Sequence, residues 1–67
     1  MKIKMKIKEI REDKNITIEQ LSKETGISTE ELTSIEEGNI NTAFSNIAKI
    51  AYILDVKVEE LYNEERD

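Results

Sequence analysis

The side chains able to do chemistry in this 67-residue chain are amines, carboxylates, hydroxyls and amides, because Cys and His are both absent. Their absence excludes disulfides, Cys/His zinc sites, Cys nucleophiles and imidazole acid–base catalysis. The basic groups crowd the start. Lys2, Lys4, Lys6, Lys8, Arg11 and Lys14 against Glu9, Glu12 and Asp13 give residues 1–14 a net charge of +3, and the rest of the chain carries −8, for −5 overall. Lysines so placed can pair with phosphates, so a polyanion would be drawn only to selected faces of an acidic molecule. No nucleophile–base pair and no phosphate-cradling glycine loop stands in the sequence, and carboxylate clusters on helix faces are ordinarily solvated. The chain reads as a binding module, not an enzyme, with no cofactor.

These groups need elements to position them, and the clearest lie in residues 17–38, TIEQLSKETGISTEELTSIEEG. Apolar or small residues fall at Ile18, Leu21, Ser22, Ile27, Leu32 and Ile35, which writes two short amphipathic helices around Gly26. Steeply crossed helices want a small residue where the backbones approach, here Ser22, and a residue that takes positive φ at the turn, here Gly26. Thr17 with Gln20 and Ser28 with Glu31 each spell a capping box, which places the second helix from about 18 and the third over about 29–37, ending at Gly38. This spacing is that of a helix-turn-helix, whose second helix ordinarily enters the DNA major groove.

The remaining chain fits one small domain. Residues 1–4 of the tandem MKIK-MKIK are expected as a basic arm or short strand, and about 5–14 as the first helix, stopped at Asn15. After Gly38 the stretch NINT makes a loop. Phe44, Ile47, Ile50, Ala51 and Leu54 then mark the inner face of a fourth helix that Asp55 ends. Val58, Leu61 and Tyr62 suggest a fifth helix over about 58–63, with an acidic tail at 64–67 and the final NEERD frayed in water. With no long apolar run and no signal-peptide core, a soluble, cytoplasmic protein is expected.

From about Met5 to Tyr62 the chain resembles the phage-repressor and Cro-like (Xre-type) helix-turn-helix domains. The residues that carry the likeness are IKEIRE, TIEQLS, TGIS, LTSIEEG and FSNIAKIAYILDVKVEELY. The resemblance implies an all-α, five-helix orthogonal bundle of lambda-repressor-like type over residues 5–63. It also implies a homodimeric, sequence-specific transcriptional regulator that binds double-stranded DNA. By position, Thr17 and Ile18 would face phosphates, Thr29, Glu30, Thr33 and Ser34 would point toward base edges, and Asn39 and Asn41 would lie near the backbone again. Arg11 and Glu36 match a family pair that joins the first helix to the third.

The sequence also departs from the pattern. The family commonly has Gln where Ile18 stands, and Ile cannot donate to a phosphate. No Lys or Arg occurs from Gly26 through Phe44, and Glu37 falls where the family often meets the backbone. Only Lys2, Lys4, Lys6, Lys23 and Lys49 could frame the recognition surface, so DNA binding is expected to be weak and salt-sensitive. Glu30 and Glu31 can accept from a cytosine amino group, or can stabilise the helix dipole, with Glu31 closing its capping box. A helix-turn-helix whose acidic third helix meets a basic protein partner is the competing reading.

Overall fold

The computed structural model describes residues 2–39 and 41–65. Met1 of the tandem repeat, Ile40 of the loop, and Arg66 and Asp67 of the tail lie outside the described residues. Strand β1 (Lys2–Met5) leads into helices α1 (Ile7–Asp13), α2 (Ile18–Thr25), α3 (Thr29–Glu36) and α4 (Phe44–Leu54). A 3-10 turn (Val58–Leu61) and strand β2 (Tyr62–Glu65) follow. The core gathers Met5, Ile7, Leu21, Ile27, Leu32, Ile35, Ile50, Ala51, Leu54 and Leu61. The fully enclosed Leu and Ile side chains each contribute about 1.5–3 kcal/mol of transfer free energy, which is how helices this short are held. Among the described residues no helix is long and apolar enough to cross a membrane.

The expected five-helix count is not met. The segment expected as a fifth helix over 58–63 is one 3-10 turn that passes directly into a strand. The reason is the partner: β2 pairs antiparallel with β1 in the register Lys2↔Glu65, Ile3↔Glu64, Lys4↔Asn63 and Met5↔Tyr62. The Lys6 N–H donates to the Leu61 carbonyl at 2.8 Å, where the ribbon leaves the core. Residues 63–65, part of the segment expected to fray, are thus held by the alternating residues at the other end of the chain. Met5, expected to open the first helix, belongs to β1, and α1 starts at Ile7.

The helix ends follow the sequence more closely. Asn15 and Asp55 both take positive φ, 58°, where α1 and α4 stop. Gly26 stands at φ 77° as the left-handed cap of α2, with no atom near the place a Cβ would occupy. The backbone angle, and not crowding, is therefore what selects glycine there. On α4, Ile50, Ala51 and Leu54 are buried and Ile47 packs against them, but Phe44 is 71% exposed. Its assignment to the inner face fails because it occupies the first turn, beyond the edge of the core.

Candidate nucleic-acid interface

Two crossed helices carry the candidate surface, and their mutual geometry is set by small polar bonds. The Ser22 hydroxyl donates to the Ile27 carbonyl across the turn. The buried Thr25 hydroxyl donates to the Leu21 carbonyl at 2.7 Å and accepts from the Ile27 N–H at 3.2 Å. Ile27, Leu32 and Ile35 then pin α3 to the core. Thr25 escaped the sequence reading, although a threonine one residue before the turn glycine, four after Leu21, is the pattern of a side chain that bonds back to the preceding turn.

On the inner side α3 is also tied to α1 by charge. Arg11 Nε donates to Glu36 Oε2 at 2.9 Å, Nη2 to Oε1 at 3.3 Å, and Nη1 to the Ile16 carbonyl at 3.0 Å. Both side chains are nearly enclosed. The hydrogen bond to Glu36 raises the Arg11 pKa beyond its already high value, so the guanidinium stays charged.

At the head of α2, Thr17 forms a complete capping box: the Gln20 N–H donates to Thr17 Oγ1 at 3.0 Å and the Thr17 N–H to Gln20 Oε1 at 2.9 Å. Ile18, expected beside it at the phosphates, turns half-buried against the core. Its side chain is a packing group, and only its backbone N–H is of use to an anion.

On the outer side of α3, Glu30 and Thr33 are exposed and Thr29 and Ser34 half-buried. The Thr29 hydroxyl donates to Glu30 Oε1 at 2.9 Å. That bond, with a further one from the Glu30 backbone N–H, holds the Glu30 carboxyl below the usual range for glutamate. Ser34 Oγ accepts from Asn39 Nδ2 at 2.9 Å, and Asn39 Oδ1 accepts from the Asn41 N–H at 3.1 Å. Thus Ser34, Asn39 and Asn41 form one chain of bonds that folds the loop back onto α3, and each keeps further hydrogen-bonding capacity.

Glu31 departs from its expected role. Ser28 Oγ accepts from the Glu31 N–H at 3.1 Å, but the Glu31 carboxylate does not return the bond. Instead Glu31 Oε2 accepts from Thr42 Oγ1 at 3.0 Å and from Asn46 Nδ2 at 3.5 Å, and Asn46 Nδ2 also reaches Thr42 Oγ1 at 3.1 Å. It braces the start of α3 against the loop and α4. The N-cap of α4 is Ala43, which makes no side-chain cap bond.

Comparison with known proteins agrees with this geometry. Residues 6–67 match the family model of the Cro/C1-type HTH DNA-binding domain. The chain is 34% identical over 65 residues, 97% of its length and 98% of the relative's, to an uncharacterized HTH-type transcriptional regulator of Methanocaldococcus jannaschii. It is 32% identical over 60 residues, 90% of its length and 84% of the relative's, to another so named from Archaeoglobus fulgidus. With its turn glycine, its three anchors and its outward-facing second helix accounted for, the chain belongs to the Cro/C1-type helix-turn-helix family of DNA-binding domains.

Proposed function

We propose that this chain is a sequence-specific transcriptional regulator that binds double-stranded DNA as a homodimer, with α3 in the major groove. The observation that supports this best is the division of α3: Leu32, Ile35 and Glu36 hold one side to the domain, while Thr29, Glu30, Thr33 and Ser34 stand on the other, three hydroxyls and a carboxylate able to bond base edges. Thr17 and the backbone N–H of Ile18 would meet phosphates at the N-terminus of α2, and Asn39 and Asn41 would meet them again after α3.

Recognition of this kind depends little on Lys and Arg. With a few lysines at the phosphates, affinity should be modest and should fall as salt rises, with a slope of log affinity against log salt of about −0.9 per contact. A selection from random duplexes at low salt is expected to enrich a pseudo-palindrome. Glu37→Lys should raise affinity across all sequences by replacing repulsion at the backbone with attraction. Failure to enrich any site, with no gain from Glu37→Lys, would overturn the proposal.

One observation favours a second reading, in which α3 meets a basic protein surface. Glu30, Glu31 and Glu37 stand on or beside α3, the segment from Gly26 through Phe44 has no Lys or Arg, and Glu30 is held ionised. In that case the same selection yields nothing, and Glu37→Lys weakens binding to the basic partner.

A further inference from the structure

The polar groups on the outer side of α3 are not interchangeable, because their bonds inside the molecule fix what each can still offer. The Thr29 hydroxyl has one proton, and it goes to Glu30 Oε1 at 2.9 Å. Thr29 therefore turns only oxygen lone pairs outward, and the ionised carboxylate of Glu30 can only accept. Ser34 is the reverse case. Its Oγ accepts from Asn39 Nδ2 at 2.9 Å, which leaves its own O–H to donate. The outer side of α3 thus begins with an acceptor-only pair, and a donor follows one turn later, four residues after Glu30.

Charge sharpens this contrast. Glu30 is exposed, no Lys or Arg occurs from Gly26 through Phe44, and among the described residues no salt bridge reaches its carboxylate. The bonds from Thr29 and from its own backbone N–H hold the carboxyl below the usual range, so it carries its full charge at neutral pH. In the major groove such a group meets four different edges. Guanine presents O6 and N7 and thymine presents O4, all of them acceptors that repel it. Adenine presents an amino group, but its N7 acceptor lies alongside and faces the second carboxylate oxygen. Cytosine presents its N4 amino group with no acceptor of its own beside it. With Oε1 tied to Thr29, the carboxylate is not at liberty to swing away from a mismatched edge.

We propose that Glu30, positioned by Thr29, sets one position of the recognised duplex to cytosine, by accepting from the N4 amino group and by repelling the acceptors of the other three bases. The assignment rests on the α3 reading above and names a base that reading leaves open. Phosphates repel the same carboxylate, so Glu30 supplies discrimination and little affinity. Its removal should therefore move the two quantities in opposite directions.

The test is selection from random duplexes at low salt, run in parallel for the unaltered chain, Glu30→Gln, Glu30→Ala and Thr29→Val, with circular dichroism melting to show that the variants fold. The unaltered chain should fix one position as cytosine. Glu30→Gln, whose amide both accepts and donates as adenine N6 and N7 require, should move that position to adenine. Glu30→Ala should leave it degenerate, keep the rest of the site, and bind an unselected duplex at least as tightly as the unaltered chain does. Damage to the fold would instead weaken binding to every duplex. Thr29→Val should narrow the preference for cytosine over adenine and leave the rest of the site as it was. In titrations of the selected duplex, replacing the cytosine by thymine should weaken binding of the unaltered chain about tenfold, and that of Glu30→Ala less than about twofold. A duplex with 2-pyrimidinone there, a cytosine without its amino group, should lose about as much, a readout that needs no protein variant. A selected site indifferent to every Glu30 substitution, uniform weakening by Glu30→Ala, or full affinity for the 2-pyrimidinone duplex would overturn this assignment and leave the α3 reading standing. An unchanged preference in Thr29→Val would overturn the positioning role of Thr29. No enriched site with any of the four proteins would overturn both the assignment and the reading beneath it.

Discussion

Helices α2 and α3 open on the same kind of signature, a hydroxyl residue followed three positions later by Gln or Glu, and close it in different ways. At α2 the box is complete and local, with Thr17 and Gln20 satisfying each other. At α3 only the Ser28 half forms, and the Glu31 carboxylate bridges to Thr42 and Asn46. The difference teaches what each helix needs. α2 has to start cleanly, whereas α3 has to keep a fixed angle to the loop and to α4 while one of its sides remains free. A carboxylate used as a tertiary brace supplies that at the expense of one local bond.

The comparison breaks most visibly if α3 is not anchored at all. Leu32→Ala and Ile35→Ala should each cost about 2–5 kcal/mol in urea unfolding, and Leu21→Ala on α2 a similar amount, since all three side chains are enclosed. Losses under about 1 kcal/mol at both α3 positions would mean that the brace and not the core holds that helix. The contrast itself is tested at a smaller scale. Glu31→Ala should cost about 1 kcal/mol and Gln20→Ala about half that, with a coupling of about 0.5 kcal/mol between Glu31→Ala and Thr42→Val in a double-mutant cycle. Equal costs with no coupling would mean that both caps act locally.

The smallest effect concerns the outer side of α3. The carboxyl of Glu30 titrates below the usual range because Thr29 donates to it. A depressed folded-state value means that any stability it contributes is present above the ordinary glutamate range and is lost as pH falls through the lowered value. Thr29→Ala should move the Glu30 midpoint upward in an NMR titration; an unchanged midpoint would show that this bond is absent in solution.

What could be read from the sequence follows from how local each feature is. Thr17, Ser28, Gly26 and the anchors Ile27, Leu32 and Ile35 act within a few residues of their own position, and their types and spacing declare them. The Arg11–Glu36 pair was found through the family resemblance and is seen in the structure. β2 was missed because Val58, Leu61 and Tyr62 at steps of three and one mimic a helix face, and nothing nearby tells that Tyr62 lies opposite Met5. Phe44 misled for the opposite reason: its step of three to Ile47 is genuine helix periodicity, but the first turn of α4 stands at the rim of the core and leaves the ring 71% exposed. At the candidate site, the bonds Thr29–Glu30 and Ser34–Asn39 depend on side-chain rotamers, which spacing does not encode.

The ribbon of β1 and β2 also sets an order of events in the making of this molecule. Its register joins Lys2 to Glu65 across almost the whole chain, and Leu61, just before β2, is one of the fully enclosed side chains. During synthesis the helical middle can collapse early on its short-range contacts, but the last long-range closure has to wait until residue 65 has cleared the ribosome. Until then the lysine-bearing first strand is an unpaired edge, and its own positive charge is what keeps nascent copies from joining through it.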